Sequence, residues 1–347
     1  MPDAFYSNNQ MKRLQLICFL ALAALTACRP TSQPVKIRGE AQGTYYSIIY
    51  YDSQHRNLQP QIDSLLHHFD LTASLWEEGS VIRRINSGQD SVVNDMFADL
   101  FQRSLQINQY TQGAFNCKIG ALVNLYGFGF KNREDVTRGQ LDSLLLAIGS
   151  DCSRIEGSDP RYLSGKAQGV EFDFNAIAQG YSVDLLAAMF DSLGIGSYLI
   201  DVGGEVIAKG LKPNGDNWVV GIERPAENKY DEQEVETAIR LCDQSVVTSG
   251  NYRKYYEQDG IRYSHTINPA TGRPVEHTLL SVSVVSRESW YADAMATAFM
   301  VMGLDQSLQF IQQHPDDPDI QAVFFIYDQG GEYHTFATPQ FQQLIKE

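Results

Sequence analysis

Apolar residues recur along this chain at two spacings, and each change of spacing marks an element. Residues 45–51 are aromatic and β-branched and predict a strand, while 58–69 carry apolar side chains at helical spacing. A second helical stretch runs over 95–112 and ends at Gly113. Residues 170–174 alternate apolar and acidic side chains, the pattern of a half-buried strand, and 176–193 return to helical spacing with Asn175 placed to cap them. Residues 197–202 and 205–209 predict two strands joined through Gly203 and Gly204, where glycine suits a positive φ. Further strands are predicted over 218–222, 281–286 and 322–327, and a helix over 292–301. Strands outnumber what simple βαβ repeats would supply, so the fold class is α+β with a largely antiparallel sheet. From Gly39 to the end no linker, low-complexity run or internal repeat interrupts the chain. Residues 39–347 therefore read as one domain, built as a single body or as two packed α/β subdomains.

Upstream of Gly39 the pattern differs in kind. Lys12 and Arg13 precede an apolar stretch over 14–25, and Leu25-Thr26-Ala27-Cys28 follows. The stretch is too short for a membrane-spanning helix but suits the apolar region of a signal peptide. Small residues directly before a cysteine resemble the lipobox of bacterial lipoproteins, in which the cysteine is diacylated and becomes the mature N-terminus. Residues 1–27 are thus expected to be a lipoprotein signal peptide, with Met11 as an alternative start, and Cys28 the lipidated residue. Residues 28–38, rich in polar residues and aperiodic, read as a tether. The expected location is the bacterial cell envelope, membrane-anchored and facing the periplasm.

Charge and cysteine content narrow the chemistry. A net charge of -15 leaves no basic surplus to neutralise phosphates, so nucleic acid is excluded as a general partner. A phosphate-bearing ligand would need a metal ion or a helix N-terminus to hold it. Once the signal is removed, Cys117, Cys152 and Cys242 remain. Their spacing suits no zinc site, and they read as small buried hydrophobes.

Candidate chemistry lies in a few places. In Ala292-Asp293-Ala294-Met295-Ala296-Thr297-Ala298, the Asp293 and Thr297 side chains fall one helical turn apart on one face. They are hard oxygen donors of the kind Mg2+ takes, with substrate phosphates and water completing its shell. A polar stripe on an amphipathic helix has the same spacing. Residues 173–181 lie at a strand-to-helix junction, where unpaired N–H groups favour an anion such as a pyrophosphate. Asp173 would repel that anion unless it meets a ligand hydroxyl or base, or a metal lies between. Thr248-Ser249-Gly250 and 264–274 predict a structured loop carrying His265, which could take a proton from an attacking hydroxyl or be structural. Ser249 lacks a nucleophile elbow, which argues against a serine hydrolase. Trp76, Phe115, Tyr126 and Phe128 lie near glycines and suit a flat ring such as isoalloxazine or adenine, or a plain core.

In their order along the chain these pieces resemble the ApbE family, the FAD:protein FMN transferases. The likeness runs from about Gln42 nearly to the C-terminus. It is carried by Gly43-Thr44-Tyr45, Leu75-Trp76 with Ile85-Asn86, Gly113-Ala114-Phe115-Asn116, Tyr126-Gly127-Phe128-Gly129 and residues 173–184. It continues through Asp201-Val202-Gly203-Gly204-Glu205, Thr248-Ser249-Gly250, 264–275 and 292–303. The resemblance implies an ApbE-like fold with a flavin site between two α/β parts. It implies Mg2+ ligands at Asp293 and Thr297, with backbone oxygens of Ala176 and Ala296. FAD contacts would map to Gln42, Trp76, Ala114, Phe115, Asn116, Asp173, Gln179 and Ile267, and His265 to a base acting with Asp293.

The implied reaction moves FMN from FAD to a Thr or Ser hydroxyl, with AMP leaving. The implied partners are acceptor domains of membrane redox proteins. A Mg2+-dependent FAD pyrophosphatase would use the same site, whereas a non-catalytic periplasmic flavin-binding lipoprotein would tolerate loss of Asp293 and Thr297. Gln179 stands where many members have lysine and Asn116 where many have aspartate, which is expected to weaken phosphate binding or slow turnover.

Overall fold

Ten strands and four helices carry the architecture in a computed structural model that describes residues 33–128, 136–225, 234–251, 255–258 and 261–346, with only the backbone described over 255–258 and 261–264. The strands are β1 (Val35–Ala41), β2 (Thr44–Tyr50), β3 (Tyr198–Val202), β4 (Glu205–Lys209), β5 (Trp218–Glu223), β6 (Val235–Leu241), β7 (Gln244–Gly250), β8 (Leu279–Ser286), β9 (Ala322–Gln329) and β10 (Glu332–Ala337). The helices are α1 (Gln59–Ala73), α2 (Asp95–Tyr110), α3 (Ala178–Ser192) and α4 (Ser289–Gln313), the last broken at Gly303. Eight strands share one sheet in the order β1-β2-β3-β4-β7-β8-β9-β10, and every neighbouring pair is antiparallel. The α+β class with an antiparallel sheet is therefore the architecture, and Pro34–Glu347 form one compact unit.

The sheet is covered on both faces because its strands alternate inward and outward side chains. On one face α1 and α3 bury Ile62, Leu66, Val183, Leu186 and Phe190 against Tyr46, Ile48 and Ile200. On the same side of the sheet's other half, α4 and α2 pack Met295, Phe299, Phe97 and Phe101 with Val247, Val282 and Val284. The opposite face carries Val206, Val246, Val285 and Phe324, covered by Trp218 and Ile222 of β5 and Ile239 and Leu241 of β6.

Two hairpin turns meet at one end of the sheet. Gln42 and Gly43 turn β1 into β2 with φ of 55° and 72°, and Gly203 and Gly204 turn β3 into β4 with φ of 63° and 107°. Gly203 N donates to Tyr45 O at 2.9 Å, which holds the turns side by side. β4 pairs with β7 only from Ala208↔Gln244 to Val206↔Val246. Beyond that the strands part, β7 running on to Gly250 against β8. The sheet thus opens where the turns sit.

Several expectations change. The tether ends earlier than residue 38, because Val35-Lys36-Ile37-Arg38 pair with β2 and Ile37 is buried. Residues 1–32, including the expected signal peptide and Cys28, lie outside the described residues, as does Gly129. Residues 170–174 are not a strand: Glu171 makes a single bridge to Ile119. Their peptide groups find scattered partners instead: the Asn86 carboxamide donates to Phe172 O at 2.8 Å and accepts from Phe172 N at 2.7 Å, and Asp173 N donates to Cys117 O at 2.8 Å. Asn175 does not cap α3, whose N-cap position is Ile177; the Asn175 N–H donates to Asp173 Oδ1 at 2.8 Å. Thr248-Ser249-Gly250 end β7 rather than forming a loop. Of the cysteines, Cys117 is buried, Cys242 is half-buried and Cys152, in the turn after the helix Arg138–Ser150, is exposed. No described helix is long and apolar enough to cross a membrane.

Candidate active site

The open end of the sheet meets the crossing of α3 and α4, and glycine sets how close the crossing is. A Cβ on Gly180 would lie 2.4 Å from Ser289 O and 2.8 Å from Asp293 Cβ, so only glycine fits. This closeness lets each helix cap the other. The amides of a first helical turn have no partner inside the helix. On α3 one of them, Gly180 N, donates to Asp293 Oδ2 of α4 at 2.9 Å. On α4, Ser289 N and Trp290 N donate to Asp184 of α3 at 2.9 and 2.8 Å.

Asp293 is therefore oriented by backbone. Its second oxygen meets no donor among the described residues, and no cation pairs with it there. Burial pushes its carboxyl well above the usual carboxylate range, the Gly180 amide offsets this in part, and the Asp184 charge adds to it. One turn along α4, Thr297 Oγ1 lies 3.3 Å from Ser249 Oγ, at the end of β7. A carboxylate and two hydroxyls thus face a cavity of about 750 Å³. Among the described residues no three His, Cys, Asp or Glu side chains gather to hold a metal. A hard divalent cation here would draw on Asp293, Thr297, Ser249 and backbone oxygen such as that of Ala176, which lines the same cavity. This donor set suits Mg2+.

Almost every other residue singled out from the sequence lines that cavity. Trp76, 59% exposed, stands at the mouth, and buried Phe115 and Ile267 form apolar wall with Ala114. Gln42, at positive φ in its turn, has Oε1 3.4 Å from Ser182 Oγ, whose proton goes to Gln179 O at 2.7 Å, and its buried Nε2 has no acceptor among the described residues. That orphan donor is what a ligand oxygen would satisfy. Asp173 is nearly buried, its N–H bonded to Cys117 O at 2.8 Å. Asn116 Oδ1 accepts from Lys118 N at 2.9 Å, and the Lys118 ammonium is taken by Asp151 at 2.9 Å. Gln179 lies across Gly203, where a Cβ would come within 2.2 Å of its Nε2. His265 faces the cavity with its ring 6.3 Å from that of Phe128.

Ala296 and Tyr126 are the exceptions: Ala296 is buried in α4, Tyr126 is buried with Leu122 and Leu141, and neither reaches the cavity wall. Sequence reasoning missed the pairing of Ser249 with Thr297 and the cap supplied by Asp184. The signal for Asp184 was its place in the 173–184 stretch, one turn after Gly180 on the same helix.

The sequence profile of the ApbE family matches residues 42–324. The chain is 34% identical to the FAD:protein FMN transferase of Vibrio cholerae serotype O1, over 96% of this chain and 99% of that protein. It is 31% identical to the FAD:protein FMN transferase of Escherichia coli K12, over 95% and 98%. Among solved structures, the flavinyl transferase ApbE of Pseudomonas stutzeri in its apo form superposes with a TM-score of 0.78 at 31% identity, covering 90% of this chain and 96% of that one. The ApbE protein of Thermotoga maritima superposes with a TM-score of 0.77 at 25% identity, covering 91% and 100%.

Proposed function

The chain belongs to the ApbE family of FAD:protein FMN transferases, and from that premise we propose that it moves FMN from FAD onto a Thr or Ser hydroxyl of another protein, releasing AMP, with Mg2+ held at Asp293 and Thr297. The observation that carries this reading is the buried Asp293 carboxylate, fixed by Gly180 N with its other oxygen turned to the cavity beside the Thr297–Ser249 hydroxyl pair.

The residues divide the work by their chemistry. Trp76, Phe115 and Ile267 give the flat flavin apolar surface to lie against. Gln42 Nε2 donates to a flavin or phosphate oxygen, which satisfies an atom otherwise buried without a partner. When bound, Mg2+ would supply the positive charge that this acidic chain lacks and polarise the phosphate oxygens. The acceptor oxygen bonds to the FMN-side phosphorus as the bond to the AMP phosphate breaks. His265 takes the hydroxyl proton, and AMP leaves with the bonding pair. The reading includes a lipid anchor at Cys28, supported by the Lys12-Arg13 pair, the apolar stretch and the small residues before the cysteine. Its acceptors are then domains exposed on the same side of the membrane.

The test uses the soluble form beginning after Cys28, with FAD and Mg2+, with and without a folded acceptor domain. AMP and covalent mass gain on the acceptor are followed together. Asp293→Asn runs in parallel, since Asn keeps an acceptor for Gly180 N and loses the charge. Acceptor-dependent AMP with an FMN-sized mass gain, lost in the variant, is expected. AMP without acceptor would mean a pyrophosphatase, and FAD left intact throughout would mean a flavin-binding protein.

A further inference from the structure

The cavity does not stop at Ser249. Where β4 and β7 part it continues to the opposite face of the sheet, floored by Leu199, Val206 and Val246 and walled by β5. The register of β5 defines what that wall offers. On the outer edge of β6, Arg240 N donates to Leu344 O and Lys346 N to Ala238 O, both at 2.8 Å. Residues 238 and 240 thus aim their peptide groups away from β5, and by alternation Thr237, Ile239 and Leu241 aim theirs toward it. Their partners across the ladder are Ile222, Val220 and Trp218. Val219 and Gly221, between those partners, turn their N–H and C=O groups outward, and no described strand pairs with them. An uncovered edge of this kind is a template for another strand. β6 has its outer edge covered by the chain's own C-terminal residues; among the described residues nothing covers that of β5.

We propose that β5 is the docking edge for the protein that is modified: an extended segment of the acceptor adds to Val219 and Gly221 as a strand, and this pairing delivers its hydroxyl through the opening to Ser249 and Thr297. The inference rests on the transferase reading, which requires a polypeptide to enter this cavity. A peptide backbone brings donors and acceptors alternating at the spacing of the β5 edge, which a dinucleotide does not. The carboxylates of Asp201, Glu205 and Glu223 line the same lobe, so the segment is neutral or basic where it crosses them.

The probe is a library of peptides of about ten residues with one central Thr and randomised flanks, incubated with the soluble chain, FAD and Mg2+. Peptides gaining an FMN mass are identified, and one is then N-methylated position by position. Loss of modification at two positions, two residues apart, is expected, because only the peptide N–H groups opposite Val219 and Gly221 face β5. A contiguous block of loss, or none, would overturn the proposal.

Gly221→Pro and Val219→Pro remove outward N–H groups and no β5–β6 ladder hydrogen bond, and the Cβ added at 221 meets only the exposed Val235 side chain, at 3.3 Å. They are expected to raise the peptide KM by roughly tenfold or more with FAD affinity unchanged. Weakened FAD binding instead would assign the lobe to the dinucleotide and overturn it, as would an unchanged KM. If no peptide is modified while a folded acceptor domain is, the docking proposal fails and the transferase reading stands; if neither is, the transferase reading fails first.

Discussion

Gly180→Ala places one methyl group at the point where α3 and α4 touch, and two effects of opposite sign compete. Alanine in a helix is favoured over glycine by up to about 1 kcal/mol, and less in a first turn. Against this, the new Cβ would lie 2.4 Å from Ser289 O, 2.7 Å from Ser289 C and 2.8 Å from Asp293 Cβ. None of these atoms is the far end of a flexible side chain, so the helices must separate by roughly 1 Å to restore van der Waals contact. Overpacking of this kind costs about 1–3 kcal/mol. The separation also strains the bonds from Gly180 N to Asp293 and from Ser289 N to Asp184, both 2.9 Å, and lost helix caps cost about 1 kcal/mol each. The clash wins, by roughly 2–4 kcal/mol. Thermal unfolding of the soluble form should show a midpoint lower by roughly 3–6 °C. Because Asp293 moves with α4, the Mg2+ concentration needed for half-maximal AMP release should rise about tenfold. Gly139→Ala is the control: it lies in the helix Arg138–Ser150 with nothing within 4 Å of the added Cβ, and it should leave the midpoint level or slightly raised. A Gly180→Ala protein as stable and as active as its parent would show that the crossing is not tight, and the account of how Asp293 is positioned would fall with it.

Other perturbations probe separate links. Burial pushes the Asp184 carboxyl up to about 6, with the Trp290 and Ser289 amides opposing and the Glu288 charge adding. Its folded state therefore holds the proton more tightly than the unfolded chain, so this contribution to stability is full below about pH 4 and is lost as pH rises through about 6. Asp184→Asn should flatten the difference in unfolding free energy between pH 4 and 6, by at most roughly 3 kcal/mol, in paired denaturant titrations; parallel profiles would refute it. Asn86→Ala strands Phe172 N and O without partners and should cost about 2–4 kcal/mol by the same titration, whereas a cost under about 0.5 kcal/mol would mean the segment finds other partners. Cys28→Ser should move the chain from the membrane fraction to the soluble fraction and abolish labelling by a fatty-acid analogue; retained labelling would exclude Cys28 as the anchor point.

How far the fold was legible depended on where each strand finds its partner. Residues 205–209 have the bounds the sequence predicts, because a short apolar run between charged ends and the Gly203-Gly204 turn are local signals. The first half of β1, residues 35–38, reads as tether although Val35 and Ile37 alternate with Lys36 and Arg38, since the polar residues just before it mask the change of period. Residues 170–174 show the converse failure. Their alternation correctly marks Val170, Phe172 and Phe174 as buried. The partner that satisfies the Phe172 backbone at their centre is a side-chain amide, Asn86, at a separation of 86 residues, and no local pattern shows such a partner.

The site was legible by the same rule, one element at a time. A spacing of four put Asp293 and Thr297 on one face of a helix, and the structure turns both into one cavity. What the spacing could not show is why Asp293 points there. The local capping rule assigned the N-terminus of α3 to Asn175, the nearest suitable side chain in sequence, yet the structure fills that role from another helix, with Asp293 bonded to Gly180 N across 113 residues. That substitution matters for function, because a carboxylate that caps a neighbouring helix is held by two backbones at once. It can swing away only by giving up Gly180 N, and the pair of helices can separate only by also releasing Asp184 from Ser289 and Trp290. The glycine that permits the crossing is therefore as much a determinant of the donor geometry as the aspartate itself, and helical periodicity alone, which scores both positions only for burial, has no means of distinguishing it from a glycine such as Gly139 that touches nothing.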